Sequence, residues 1–259
     1  MKILLSLAAL LALVALDDEP GQQAQPTGLH APLTGLLSAH VENGVVDYAG
    51  LKESEAALDA YLAALARVDP ETLERDDALA FWINGYNAFT LKLMLERYPG
   101  IESIKDIPSS KRWKAKRWAV MGKRYSLDQI EHEILRPMGE PRIHFAIVCA
   151  SFSCPDLAPE AFLAETLDDQ LTAATKLFLA NRDKGLSFGK EAGWLYGTNY
   201  VLHVSKIFDW FEKDFKTSDR SVVEFVLKYA PDDAVAFIKK HRKDLDVEHL
   251  SYDWSLNGR

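Results

Sequence analysis

From Leu29 onward the apolar positions recur mainly at helical spacing, broken at short intervals by turn residues. "LTGLLSAHVENG" predicts a helix stopped at Asn43-Gly44, a strong terminating pair. In "LKESEAALDAYLAALARV", Leu51, Leu58, Leu62, Leu65 and Val68 lie along one face of a 3.6-residue period, and Pro70 closes the element. "DDALAFWINGYNAFTLKLMLERYPG" predicts the most apolar helix, capped by Asp76 or Asp77 and ended by Pro99-Gly100. "KRWAVMGKRYSL" predicts a hairpin turning at Met121-Gly122-Lys123, and "SLDQIEHEILRP" a helix capped by Ser126 with Gln129 at its third position. "IHFAIVC" (143–149) reads as a strand, followed by a loop and a helix over 165–181. "WLYGTNYVLHV" adds one or two strands, and "SKIFDWFEKDF", "RSVVEFVLKYA" and "PDDAVAFIKKH" add helices before an extended terminal piece, "HLSYDWSLNGR".

Helices dominate, without regular strand–helix–strand alternation, so the expected fold is α+β in a single domain over 28–259. Its core motifs fall in 76–216, and the C-terminal helices and extended tail in 217–259. A central apolar helix against a small antiparallel or mixed sheet is the expected architecture.

Composition changes the picture in two respects. Lys plus Arg number 30 against 38 Asp plus Glu, a net charge of -8, which disfavours broad binding to nucleic-acid phosphates. The N-terminus carries Lys2 and then an apolar or small-residue run from Ile3 to Leu16. About 14 residues fall short of the roughly 20 that cross a bilayer as a helix, so 1–16 reads as a signal peptide and 17–27 as a linker. Export to the periplasm or the extracellular space is the expectation. It implies an oxidising compartment, and no stable membrane span once the signal is removed.

"FWINGYNAFTLKLML" (81–95), "YSLDQIEHEILR" (125–136), "HFAIVCASFSCPDL" (144–157), "SKIFDWFEKDF" (205–215) and "YDWSLN" (252–257) occur in that order. Together they resemble the domain of unknown function 547 family, bacterial exported type, from about residue 29 to the end. The resemblance implies no activity. The order of an Asn-bearing helix, a histidine near the start of a strand and a late acidic residue is also loosely similar to cysteine-protease and transglutaminase-like folds, and fold alone does not fix function.

The chain's two cysteines, Cys149 and Cys154, lie in one stretch with His144. An oxidised pair is one reading: closing so short a loop would stabilise the fold by ~2 kcal/mol. Two thiols with one reactive is another, and inert buried cysteines a third. On a strand over 143–149, His144 and Cys149 would point to opposite faces and lie roughly 16 Å apart at ~3.3 Å per residue, which disfavours a dyad between them. Cys154, after a turn of small residues and before Pro155, is then the candidate nucleophile. It would be the N-cap of a short helix whose amide donors lower a thiol pKa. His144 would be its base and Asp253 the orienting carboxylate, with His132 the alternative base.

Asn84 and Asn87 interrupt the central apolar helix beside Trp82 and Tyr86. They either tie that helix to a loop, such as the cysteine loop, or present amide donors to a substrate carbonyl. Glu131, His132 and Arg136 form either a surface charge cluster or a polar group facing the same cavity; on an α-helix Glu131 would turn away from the other two. Ser151 and Ser153 join Tyr86 as candidate ligand contacts.

Metal-ligand motifs are weak: His144 and the two cysteines would lack a fourth zinc ligand, so neither a metal nor a cofactor is expected. His203 reads as a packed or surface histidine. The basic stretch Lys105 to Arg124, with Trp113, Trp118 and Tyr125 interleaved, reads as a solvated hairpin or as an anionic-surface patch. Two function classes follow. One is a thiol-dependent hydrolase or acyl transferase acting on a peptide, amide or thioester. The other is a non-catalytic envelope binding or scaffold domain with a structural disulfide and an unidentified small-molecule or peptide ligand.

Overall fold

The computed structural model describes residues 26–192 and 198–258. The predicted signal segment and most of the predicted linker lie outside them; Pro26 and Thr27 already belong to the first helix. Helices α1 (Pro26–His40), α2 (Tyr48–Glu53), α3 (Glu55–Leu65) and α4 (Arg75–Leu95) make the first half. The short α5 (Ser109–Arg112) and α6 (Leu127–Gln129) flank a hairpin, and α7 (Leu167–Ala180) follows the cysteine loop. Helices α8 (Ile207–Trp210), α9 (Glu212–Asp219), α10 (Val222–Tyr229) and α11 (Asp232–His241) complete the helical part.

The strands are few. β1 (Val41–Glu42) pairs β2 (Val45–Val46), and β3 (Trp118–Val120) pairs β4 (Lys123–Tyr125), both antiparallel. β5 (Leu186–Ala192) pairs β6 (Thr198–Val204) antiparallel, and β6 pairs β7 (Leu245–His249) in parallel, a mixed three-stranded sheet. The fold is α+β, helix-rich with small sheets. Among the described residues no helix is long and apolar enough to cross a membrane.

Both two-residue hairpins turn on positive-φ pairs, Asn43-Gly44 (51° and 78°) and Met121-Gly122 (46° and 73°). This is the primed-turn geometry that matches strand twist. The first helix therefore stops at His40, and Asn43-Gly44 closes a hairpin rather than capping a helix. The predicted helix 51–68 is two helices, parted at Ser54. α4 starts at Arg75 without a side-chain cap, and Asp76 and Asp77 sit in its first turn, where acidic groups suit the helix dipole.

The largest correction concerns residues 143–149. They are not a strand. Residues Pro141–Phe145 wind as a 3-10 helix, and the Ala146 and Ile147 amides both donate to the Ile143 carbonyl. Every residue from Ile143 to Val148 is buried, because this segment is enclosed by two cores. Ile143, Ala146, Ile147 and Val148 belong to a core built on α1–α4, whereas Phe145 enters a second core with Phe178, Phe208, Phe215 and Phe225. Uniform burial erases the alternation that a half-exposed strand would show. The central helix α4, buried all round from Leu79 to Leu91, packs against α1, α3 and the 130–135 turn. The mixed sheet packs instead against α7 and α11.

Candidate active site

α4 positions the cysteine segment by hydrogen bonds. The Asn87 amide donates to the Ala146 carbonyl (2.9 Å) and accepts from the Val148 amide (2.9 Å). Asn84 makes the same double bond to Phe162, 2.8 and 2.9 Å. Both side chains are buried with an amide hydrogen and the amide oxygen engaged, so they tie loops to the helix, and neither lines the cleft described below.

After Val148 the chain turns sharply. Ala150, fully buried, has φ 58°, a left-handed conformation costly for a residue with a Cβ. The turn brings Cys154 back on Cys149. Their sulfurs lie 2.9 Å apart, longer than the ~2.05 Å of a disulfide bond, and the Cys149 amide donates to the Cys154 sulfur at 2.9 Å. Ser151 Oγ (2.9 Å) and Tyr252 Oη (3.2 Å) also contact the Cys149 sulfur, and the two hydroxyls bond each other at 2.9 Å. Hydrogen bonding from Cys154, opposed by burial and aided by Ser151 and Tyr252, draws the Cys149 thiol down to about 7. Burial and the neighbouring Cys149 charge push Cys154 well up. Of the two thiols Cys149, half-buried, is therefore the more acidic and Cys154 the one that keeps its proton to higher pH. No helix follows Cys154, so the expected N-cap does not form.

Both sulfurs open on a cleft of about 190 Å³, lined also by His144, Glu131, His132, Asp128, Tyr86 and a set of aromatic rings. His144 lines it too: the 3-10 helix over Pro141–Phe145 rises less per residue than a strand, which shortens the separation from Cys149. Its Nε2 lies 2.9 Å from Asp214 Oδ2, and its ring stacks on Phe211 at 4.0 Å. Asp214 also takes a bidentate pair from Arg136, 2.6 and 2.9 Å. Burial lowers His144 despite the carboxylate, so the imidazole is neutral and donates Nε2–H to Asp214, leaving the lone pair on Nδ1. Burial alone would raise Asp214, but the His144 and Arg136 hydrogen bonds hold it well below the usual carboxylate range.

The helix bearing Glu131 is not α-helical throughout. Residues Ile130–Leu135 wind as a π-helix, and the Arg136 amide donates to the Glu131 carbonyl five residues back. Pro137, which has no amide hydrogen, then ends the run in a 3-10 turn. The wider turn lets the neighbours Glu131 and His132 both line the cleft. Glu131 accepts from the Tyr86 hydroxyl at 3.2 Å, and burial pushes its carboxyl up to about 7. His132 meets Arg136 through Nδ1 at 2.9 Å, and burial lowers its pKa.

The structure therefore brings His144, Cys149, Cys154, Ser151, Tyr86, Glu131 and His132 to one place. Ser153 is buried behind it, its hydroxyl accepting from the Asp253 amide at 2.9 Å. Asp253 is not brought to His144: its carboxylate accepts from the Ser255 amide at 2.8 Å. The carboxylate on His144 is Asp214, which pattern reading passed over. One signal was available, since Asp214 is three residues from Phe211 on the same helical side, a charge beside an apolar position. Tyr252 and Trp254 were also missed. They arrive on the tail, which lies along the cysteine loop through Phe152 N to Ser255 O (2.7 Å), Ser153 N to Asp253 O (3.1 Å) and Asn257 N to Ala150 O (3.2 Å).

Elsewhere the basic segment is the solvated hairpin: Arg117 pairs with Glu96, Lys123 with Glu71, and Trp118 is buried on Phe89. His203 is a surface residue paired with Glu191 at 2.6 Å. Among the described residues no group of three or more His, Cys, Asp or Glu side chains is arranged to hold a metal ion.

Fold and site together define a buried thiol cleft on a helix-rich α+β scaffold. Residues 70–179 match the family model described as "Protein of unknown function, DUF547". The matched span contains both cysteines, His144, Glu131 and Tyr86, whereas Asp214, Trp210, Tyr252 and Trp254 lie beyond it. No curated protein and no solved structure matches the chain.

Proposed function

We propose that the protein is a thiol-dependent hydrolase or acyl transferase whose nucleophile is Cys149. The observation that carries this reading is the shared cleft: a thiol with lowered pKa and a neutral, carboxylate-anchored histidine line one small cavity. In this mechanism Cys149 Sγ attacks the carbonyl carbon of an ester, thioester or amide, with His144 Nδ1 holding the thiol proton. The bond to the leaving group breaks, that group takes the proton from His144, and an acyl thioester remains on Cys149. Water, or an acceptor amine or alcohol, then attacks the thioester, giving a proton to His144 that returns to the sulfur. Asp214 is a positioning residue, fixing the imidazole tautomer. The Lys2-led apolar run at the N-terminus supports placing this chemistry outside the cytosol.

The test is acylation with a nitrophenyl ester, followed by mass spectrometry of the modified peptide. The acyl group is expected on Cys149, abolished by Cys149→Ser and retained in Cys154→Ala. Acylation of Cys154 alone, or of neither thiol, would overturn the reading. A second reading is favoured by the approach of the two sulfurs: an oxidant that joins them as a disulfide leaves a non-catalytic binding domain. Thiol titration of the isolated native protein decides between them, since no free thiol in native or denatured protein leaves only the second.

A further inference from the structure

The cleft that holds Cys149 has a marked charge character. Its ionisable lining consists of Asp128, Glu131, His132, His144, the two cysteines and two tyrosines, with no lysine or arginine. Burial lowers the pKa of both histidines, His144 being the buried one and His132 the more exposed. The ionisable partner that the Asp128 carboxylate meets is His132, at 3.9 Å. The Asp128 amide donates to the Trp113 carbonyl at 3.0 Å, and both residues line the cleft.

The cleft lining is also rich in aromatic rings. Trp210 lies 4.8 Å from Tyr252 and stacks on Trp254 at 5.7 Å, while Tyr252 and Trp254 are 4.5 Å apart. π faces attract ammonium groups, most strongly where water is excluded. Two of the chain's own cations already sit on cleft rings: Lys105 lies 5.1 Å over Trp254 and Arg112 5.4 Å over Trp113, and neither cation lines the cleft. Arg136, next to His132, is neutralised by its bidentate pair with Asp214.

We propose that the cleft selects acyl donors carrying an ammonium group, held between the Asp128 carboxylate and the Trp210–Tyr252–Trp254 wall, with the carbonyl presented to Cys149. This rests on the acyl-transfer reading for its chemistry, but not for its recognition. Two experiments separate them. The first compares acylation by the nitrophenyl esters of trimethylammoniobutanoate and of its uncharged tert-butyl isostere, each normalised to its rate with free cysteine. The cationic ester is expected to react roughly tenfold faster or more, and Asp128→Asn to bring the ratio close to one. An equal or faster isostere would overturn the proposal while leaving the nucleophile in place.

The second experiment follows tryptophan fluorescence on titration with choline and with its uncharged isostere dimethylbutanol. Choline binding at least roughly tenfold tighter supports the cation preference even if neither ester acylates Cys149, in which case only the acyl-transfer reading fails. Equal binding, or none, overturns the proposal.

Discussion

The Cys154 sulfur lies 2.9 Å from that of Cys149 and accepts the Cys149 amide hydrogen at the same distance. One thiol is therefore positioned by its partner's own backbone to share a proton with the partner's sulfur. Removing it removes the strongest support of the thiolate. Cys154→Ala should raise the midpoint of Cys149 alkylation, measured with iodoacetamide across pH, from about 7 towards the ordinary thiol range. Cys154→Ser should raise it less, because a hydroxyl donor is retained. A midpoint unmoved by either change would show that Ser151 and Tyr252 suffice.

Asp214 acts through His144, so its loss should separate two readouts. Asp214→Asn is expected to slow acyl turnover by at least about a hundredfold, the scale of a positioned base, while changing the iodoacetamide rate of Cys149 much less. The stability profile gives a second check. Because Asp214 is held below its unfolded pKa, its contribution is present above the usual aspartate value and lost as pH falls through the folded one. Urea melts of the variant should therefore show a shallower loss below about pH 4 than the parent protein.

Glu131 has the opposite sign. Its carboxyl titrates near 7, above the 4.5 of an unperturbed glutamate, so between those values the folded state keeps a proton that the unfolded chain releases. Its contribution is fully present below pH 4.5 and lost as pH rises through about 7. Glu131→Gln should then gain stability relative to the parent at pH 8, with the gain shrinking towards pH 5, as read from urea midpoints. The same variant should flatten any step near pH 7 in the acylation rate that does not belong to Cys149.

Asn87 is structural, and its removal should look structural. Asn87→Ala leaves a buried carbonyl and a buried amide unpaired at Ala146 and Val148 and should cost about 2–4 kcal/mol in chemical denaturation. Amide exchange should quicken at Val148 before it does in the sheet. Unchanged stability with lost acylation would instead make Asn87 a substrate contact.

These residues also show what could be read from the chain. Buried amides on an apolar helix must find partners, so the tie from Asn87 to the cysteine segment was legible from burial logic alone. The two positive-φ hairpins are partly legible: Met121-Gly122 predicts a hairpin, whereas Asn43-Gly44 predicts a helix stop as readily as a turn. The 143–149 segment was misread because a short apolar run enclosed on both sides has no period to distinguish a strand from a coil. That error propagated. A strand put His144 far from Cys149 and promoted Cys154, whereas the 3-10 winding brings the histidine to the cleft that Cys149 lines. Asp214 and Tyr252 stand 70 and 103 residues from the groups they contact, a separation that only tertiary packing closes.

The tail that carries Tyr252 and Trp254 has a consequence for the order in which the molecule becomes reactive. During translation residues 250–258 leave the ribosome after every other part of the cleft, and they bring one of the hydroxyls that contact the Cys149 sulfur. A chain lacking them would lose that donor and two rings of the Trp210–Tyr252–Trp254 cluster. The surroundings of the Cys149 sulfur are thus complete only once a strap about a hundred residues further along the chain has docked.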